Sequence, residues 1–323
     1  LPLKKLKNYI FLIFLMLSGI DLAFIKEELK ELVGARVRKI FQLDKKFFFI
    51  LYSKNIGKKA MKLVPGEYVC ITTNYEKEKQ PPSFCMLLRK YIKNLILIDV
   101  EQKDFERIIL FKFKGKKNFI LIAEFFDKGN LILCDNEKKI IAALKPRKYK
   151  DRLILSGEFY KYPKEKMISF ESDVEIVKEI ANSFGKKYAE EICYSLGIDK
   201  KKKSNELNDN EKKRILEKID FFKKYVEERR ITPQVIIDKG NLVDVVPFDF
   251  SLYKEKERLR FDSFSNAVDY FYSKIESSEK EREEKKEEER RNQIIKEQEE
   301  KLNFLISKIS ELRKNASLII KNI

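Results

Sequence analysis

The C-terminal segment carries an apolar residue at every seventh position, and a chain with such a repeat must commit that segment to one long helix. Ile295, Leu302, Ile309, Ala316 and Ile323 fall seven apart, and Leu305, Leu312 and Ile319 fill the positions between them, with Gln298 as the polar exception. This spacing holds the apolar side chains on one narrow seam, the a/d stripe of a coiled coil. A single helix leaves that seam in water. The seam therefore implies a partner helix, supplied either by a second copy of the chain or by the returning arm of an antiparallel hairpin. Residues 264–323 are expected to be this helix, truncated within its coiled coil.

The chain ahead of it changes period several times. Ser18 and Asp21 form a capping-box-like start, Leu22, Ile25, Leu29 and Leu32 recur at helical spacing, and Gly34 supplies a stop. The spacing predicts one amphipathic helix over 19–33. From Arg36 to Leu144 the signal becomes short β-rich runs: 37–43, 47–52, 68–73, 95–100, 108–113, 119–126, 131–134 and 140–144, interrupted by a helix over 84–92. Many short strands with tight turns, such as Gly129-Asn130 and Asp135-Asn136, argue for an antiparallel sandwich or barrel. Tyr162-Pro163 closes this region. Residues 170–230 are helical in period, with Asp173 as a cap, Phe184-Gly185 as a break, Gly197 as a stop and a third helix from about Asp209. Two short helices joined at a glycine resemble a helix-hairpin-helix unit. Val235–Asp238 and Leu242–Val246 read as a hairpin that returns, within 231–262, to extend the first sheet. The class is α+β: a β-rich domain over 16–165, a helical domain over 170–230, a β return and a long helix.

Lys and Arg exceed Asp and Glu, 69 to 52, for a formal net charge of +17. Between Glu276 and Lys301, eleven acidic residues outnumber eight basic ones, so the surplus lies outside that stretch. A cationic excess of this size favours a polyanionic partner, because each phosphate neutralised releases counterions. The chain has no histidine, which removes Ser-His-Asp and Cys-His catalysis and His-ligated zinc. Cys70, Cys85, Cys134 and Cys193 lie far apart and read as small core residues in a reducing compartment. No phosphate-cradling glycine motif is present. These absences point to a non-enzyme with no cofactor and no metal.

Lys4, Lys5 and Lys7 before the apolar run Tyr9–Leu17 imitate a signal peptide. The run is too short to cross a bilayer as a helix, and no small-x-small cleavage site follows. Residues 1–15 are read as an upstream extension with Met16 as the true start, the alternative being an N-terminal membrane anchor.

Five segments in order, MLSGIDLAFIKEEL (16–29), RVRKIFQLDKKFFFIL (36–51), PPSFCMLLRKYI (81–92), EQKDFERIILF (101–111) and AEFFDKGNLILCD (123–135), resemble the N-terminal domain of the NFACT family. This is the family of NEMF, RqcH and the so-called fibronectin-binding-protein-A-like proteins. The resemblance continues through ITPQVIIDKGNLVDVVPFDF (231–250) and covers about residues 16–323. It implies a β-rich domain like that of formamidopyrimidine-DNA glycosylases without their chemistry, and a cytoplasmic ribosome-quality-control adaptor. Such an adaptor binds obstructed large ribosomal subunits, their rRNA and tRNA, and promotes untemplated tailing of the stalled chain. The tail implied is alanine, hence alanyl-tRNA as partner, with no membrane involved. The older family name leaves an exported adhesin as an alternative, and the glycosylase-like fold leaves DNA-lesion binding.

By position, Asp21 matches the family's N-terminal aspartate needed for tailing, and Glu106-Arg107 matches the Asp-Arg pair that follows its glutamine, here Gln102. Glu106 departs from that pattern by one methylene. Arg107 suits phosphate or a base edge through two parallel hydrogen bonds. The residues alone also allow Asp21 to be a helix-stabilising first-turn carboxylate and Arg107 a surface ion pair. Arg89 and Lys90 are either RNA contacts or the wet face of a helix. The densest basic run, KPRKYKDR, offers Lys145, Arg147, Lys148, Lys150 and Arg152 to phosphate and Tyr149 to a base, against the commoner outcome of a solvated loop.

Overall fold

The structure, a computed structural model, describes residues 16–78, 80–165 and 167–321, with side chains as far as Ser317. It divides into two compact units, Leu1–Phe271 and Tyr272–Ile323. The proposed upstream extension, residues 1–15, lies outside the described residues.

The first helix, α1 (Gly19–Leu29), continues into a 3-10 turn, Lys30–Leu32. Ser18 caps it: Ser18 Oγ accepts from the Asp21 amide at 3.1 Å, and Asp21 Oδ2 accepts from the Ser18 amide at 2.8 Å. The expected amphipathic stripe is wider than a stripe. Every residue from Gly19 to Ile25 is buried, Asp21 among them, so the first two turns are covered on all sides.

Nine strands follow: β1 (Arg36–Leu43), β2 (Lys46–Ser53), β3 (Gly57–Val64), β4 (Tyr68–Thr72), β5 (Ile96–Gln102), β6 (Ile108–Lys114), β7 (Phe119–Glu124), β8 (Asn130–Asp135) and β9 (Ile140–Ala143). They form one antiparallel sheet in the order β4-β3-β2-β1-β5-β6-β7-β8-β9. All eight expected runs are strands. β3 was not foreseen, because Gly57-Lys58-Lys59 reads as turn punctuation. The sheet narrows at β1–β5 to one paired position, Arg36 with Ile96. At its far end the two halves touch through turns instead of strands. The Gly66 amide donates to the Glu124 carbonyl at 3.0 Å. A Cβ on Gly129 would lie 2.0 Å from the Gly66 nitrogen, so this approach requires glycine.

The strands are buried on both faces, as in β2, where Lys46 through Leu51 are all buried. Helix α2 (Ser83–Ile92) packs on β1. On the opposite half, Ile108, Leu110, Ile120, Ile122, Ile132 and Cys134 form a cluster with Ile154 and Tyr160. Ile154 belongs to a short hairpin, β10 (Arg147–Lys148) and β11 (Leu153–Ile154).

Three helices come next: α3 (Ile176–Phe184), α4 (Lys186–Leu196) and α5 (Asp209–Glu227). The breaks fall at Gly185 and Gly197 as expected. The expected cap does not hold: Glu175 precedes α3, and Asp173 instead pairs with Lys203 at 2.6 Å. The hairpin β12 (Gln234–Asp238) and β13 (Asn241–Val246) also corrects an expectation. It does not extend the large sheet; β14 (Glu257–Arg260) joins it in a separate sheet of order β13-β12-β14. The charged sequence ERLR of β14 gave no strand signal, so the free edge of β12 seemed available to the first sheet. Rings of Phe24, Tyr188, Phe222, Tyr225, Phe248 and Phe250 contact one another across α1, α4, α5 and the segment after β13, at centroid spacings favourable for aromatic pairs.

The last helix, α6, runs Phe264–Lys321. Its start is anchored within the first unit by Glu28, which accepts from the amides of Phe264 at 2.6 Å and Ser265 at 2.7 Å. In the second unit the expected seam is in solvent: Ile295, Leu302, Leu305, Ile309 and Leu312 are each about half exposed. The side chains of Ile319 and Ile323 lie outside those described. Among the described residues, no helix is long and apolar enough to cross a membrane.

Candidate nucleic-acid interface

The first turn of α1 is gripped from two sides, and this brings Asp21 and Glu106-Arg107 to one place. On one side Asp21 is fully buried. Lys187 Nζ lies 2.8 Å from its Oδ2, and the Tyr188 hydroxyl donates to its Oδ1 at 2.9 Å. Lys187 also donates to the Val245 carbonyl at 2.7 Å and lies 3.5 Å from Asp244, which accepts from the Tyr253 hydroxyl at 2.9 Å. Burial pulls the Lys187 pKa down, but Asp21 and Asp244 more than offset this and the net shift is upward. Burial pushes the Asp244 carboxyl up, with Lys187 opposing. Asp21 thus offers no surface to a ligand. It holds α1 to α4 and β13.

On the other side lies the β5–β6 turn. Gln102 Nε2 donates to the Gly19 carbonyl at 2.8 Å and to the Glu106 carbonyl at 2.9 Å. The Glu106 amide closes the turn onto the Lys103 carbonyl at 3.0 Å. A Cβ on Gly19 would fall 1.6 Å from the Phe105 carbonyl oxygen, so the turn sits directly against the helix backbone. The Phe125 amide fixes the Arg107 main chain from β7's end, at 2.8 Å. The Arg107 side chain is half-buried, yet its guanidinium makes no hydrogen bond or ion pair with any described residue. Burial lowers its pKa, with Glu106 opposing. A desolvated cation without a partner is costly, and an anion placed against it recovers that cost through paired N–H···O bonds.

The remaining sequence candidates are not gathered here, and several are spent on the fold. Arg89, on α2, donates through Nε to the Ile40 carbonyl at 2.7 Å and pairs with Glu78; its neighbour Lys90 is exposed. Within the basic run, Arg152 is buried against Glu124, 2.5 Å away, and lies over the Tyr149 ring at 4.6 Å. Tyr149 therefore presents no free face on that side and packs on the sheet cluster. Arg147 pairs with Asp127 at 2.5 Å, and Lys145 Nζ donates to the Lys128 carbonyl at 2.5 Å. Burial holds Lys145 below its ordinary pKa, with Arg147 adding to the effect. Lys148 and Lys150 remain exposed, without an ion pair to any described residue. Of this run, two lysines are available to a polyanion.

Gln102, Lys187 and Tyr188 escaped sequence reasoning as site residues. Gln102 marked a motif position only, and nothing local ties Lys187 or Tyr188 to a helix far away in the chain. The four cysteines are buried thiols, as expected. Burial pushes Cys134 up to about 12 and Cys193 up to about 11. Among the described residues no cluster of His, Cys, Asp or Glu could hold a metal.

Fold and site together define an α+β protein in which a nine-stranded antiparallel sheet and a braced helix turn carry an arginine without a hydrogen bond or ion pair among the described residues. Residues 18–322 match the NFACT N-terminal and middle domains, and the chain belongs to that family. It is 35% identical over 287 residues to the archaeal Rqc2 homolog aRqcH of Methanocaldococcus jannaschii, covering 80% of this chain and 42% of that one. It is 29% identical to the human ribosome quality control complex subunit NEMF (80% and 28% covered) and 26% identical to the Rqc2 homolog RqcH of Bacillus subtilis (90% and 52%). The chain therefore spans about half or less of the length of these relatives. Solved structures with a similar fold include the fibrinogen-binding protein of Staphylococcus aureus, at TM-score 0.62 and 20% identity, covering 79% of this chain and 98% of that one. The N-terminal part of the fibronectin/fibrinogen-binding protein of Streptococcus suis aligns at TM-score 0.60 and 23% identity, covering 80% and 99%.

Proposed function

We propose that this chain is the RNA-gripping portion of a ribosome-quality-control adaptor. It binds tRNA and obstructed large ribosomal subunits and supports untemplated tailing of the stalled chain, with alanine as the residue added. The peptidyl transfer belongs to the ribosome, so the protein acts without catalysing, and it acts in the cytoplasm. The relatives' names support the quality-control role. The single observation that carries RNA binding is Arg107: a half-buried guanidinium without a hydrogen bond or ion pair to any described residue, on a turn held rigid by Gln102 and Gly19. In this reading Arg107 takes phosphate or a base edge. Asp21 acts at one remove, by fixing the helix turn against which the arginine's loop is built, and Glu106 sets the local field. Lys90, Lys148 and Lys150 add long-range attraction.

Crosslinking the protein to RNA in cells and sequencing what is bound, for wild type and Arg107→Ala, tests this. Recovery of tRNA and large-subunit rRNA, depleted in the variant, is expected, together with co-sedimentation with large subunits in preference to whole ribosomes. Recovery of mRNA fragments or DNA would remove the adaptor reading.

A further inference from the structure

We infer that a groove between α5 and the segment after β13 holds an unpaired nucleobase of a bound RNA strand, stacked on Tyr225 and Phe221 with its phosphate at Lys218. The inference rests on the RNA-binding reading above and adds a second, separate contact to it.

The groove encloses about 490 Å³, within the range of small-ligand sites. Its floor and wall are aromatic. Phe248 is buried at the base, the Tyr225 ring lies 5.1 Å from it, and the Phe221 ring lies 4.4 Å from Tyr225. Phe221 is 39% exposed and Tyr225 half-buried, whereas Phe222, Phe248 and Phe250 are buried. A phenylalanine held at the mouth of a groove leaves ring area in water.

The polar lining sorts by what is already occupied. Glu191 accepts from the amides of Ser251 at 3.0 Å and Leu252 at 2.9 Å, and Asp249 pairs with Arg258 at 2.6 Å. Arg229 is taken by Glu27 at 3.0 Å. Lys218 has no carboxylate partner among the described residues; its ammonium lies over the rings of Phe221 at 4.9 Å and Phe222 at 5.5 Å. The Tyr225 hydroxyl likewise has no hydrogen-bond partner among the described residues. Arg230 sits over the Tyr225 ring at 5.9 Å, with an exposed pairing to Glu228. What remains in water is part of the Phe221 and Tyr225 rings, with the Lys218 and Arg230 cations over them, and one ammonium and one hydroxyl without a hydrogen-bond partner among the described residues, the acidic groups being engaged elsewhere.

That set fits a flat aromatic ring carrying an anion. Base stacking on aromatic side chains is tolerant of sequence, and a lysine beside the ring takes the adjoining phosphate. The helix supplies the geometry: Arg214, Lys218, Phe221 and Tyr225 recur at i, i+4, i+7 and i+11 along α5 and so share one face. An acidic peptide would also seek Lys218, but it gives the rings no planar partner. A free nucleotide has the chemistry but lacks the extended backbone whose further phosphates would meet Arg214, one turn before Lys218 on the same face.

The test uses the full chain and a short single-stranded RNA carrying one 2-aminopurine, whose fluorescence falls when it stacks. Quenching on binding is expected. Phe221→Ala and Tyr225→Ala should abolish the quenching and weaken binding about tenfold, with no change in the salt dependence of affinity. Lys218→Met should lower that salt slope by about one. Affinity for the same strand with abasic positions should be insensitive to Phe221→Ala. The exposed position of Phe221 keeps this variant folded, and its thermal melt verifies that. Tight RNA binding with no quenching, or quenching that survives both aromatic variants, overturns the groove while leaving the Arg107 site intact. Loss of quenching to adenosine monophosphate at equal nucleotide concentration, or to a glutamate-rich peptide, also overturns it. Failure of any RNA to bind would bring down the adaptor reading together with this one.

Discussion

Replacing Lys187 with Met would leave Asp21 and Asp244 in an interior that water does not reach, with no cation between them. One ammonium now serves both carboxylates, and removing one partner of a buried ion group costs about 3–5 kcal/mol. We expect a loss of that size for Lys187→Met in urea unfolding at neutral pH; a loss within about 0.5 kcal/mol would show that the group is not structural. The pH dependence has a definite sign. The folded state raises the Asp244 pKa, so it favours the protonated acid, and the penalty for ionising it appears as pH rises above the ordinary value near 3.8. The variant should therefore recover stability as the solution is acidified toward that value. From the sequence Asp21 reads as a first-turn carboxylate, which it is. Its burial was not legible, because the partners that permit it stand on α4 and β13. Arg152 teaches the same at the other site: a residue of the densest basic run is among the most buried charges in the protein, held by Glu124.

At the scale of elements, helices meet through side chains that sequence periodicity cannot pair. Glu27 on α1 binds Lys26, Lys30 and, beyond the end of α5, Arg229. Burial raises its pKa, but Lys30 and Lys26 outweigh this and hold it at about 2. A depressed carboxyl adds stability that is present above its unfolded value near 4.5 and lost as pH falls through about 2. Thermal melts across that window should show about 1 kcal/mol lost, after allowing for solvent screening, and Glu27→Gln should flatten this part of the profile. The turn contact that closes the sheet predicts a larger effect. Gly129→Ala drives a Cβ into the Pro65-Gly66 backbone at a positive φ, costing about 1–3 kcal/mol, whereas Gly157→Ala, with open space around it, bears only its backbone strain. Comparison of the two melts separates clash from strain. Most strands were legible because their apolar runs are bounded by turn residues. β3 was hidden by its lysines, one of which, Lys62, is buried and lies 3.7 Å from Asp269 on α6. A lysine inside a strand makes sense only once that distant carboxylate is in place. β14 was hidden by charge in the same way, and with it the separate sheet that β12 and β13 join.

For the whole molecule, the question is which part of the +17 surplus is available to a polyanion. The sequence treats the basic residues of Lys145–Arg152 as equals. The structure divides them: Arg147 and Arg152 are tied to Asp127 and Glu124, whereas Lys148 and Lys150 stand in solvent. Attraction between a protein cation and a phosphate shows itself as a dependence of log K on log salt, with about 0.7–0.9 of slope for each charge pair. A cation committed to an internal carboxylate contributes little to that slope and much to stability. Measured with a total tRNA pool over a series of salt concentrations, the double variant Lys148→Ala, Lys150→Ala should reduce the slope by about 1 to 2 and leave the melting temperature unchanged. Arg152→Ala should do the reverse, lowering stability by about 3–5 kcal/mol with little change in slope at temperatures where the variant is folded. Equal slopes for the lysine variant and wild type would mean that RNA does not meet this hairpin. Slope, stability and their opposite assignment to neighbouring residues would together locate the cationic surface that the composition only counts.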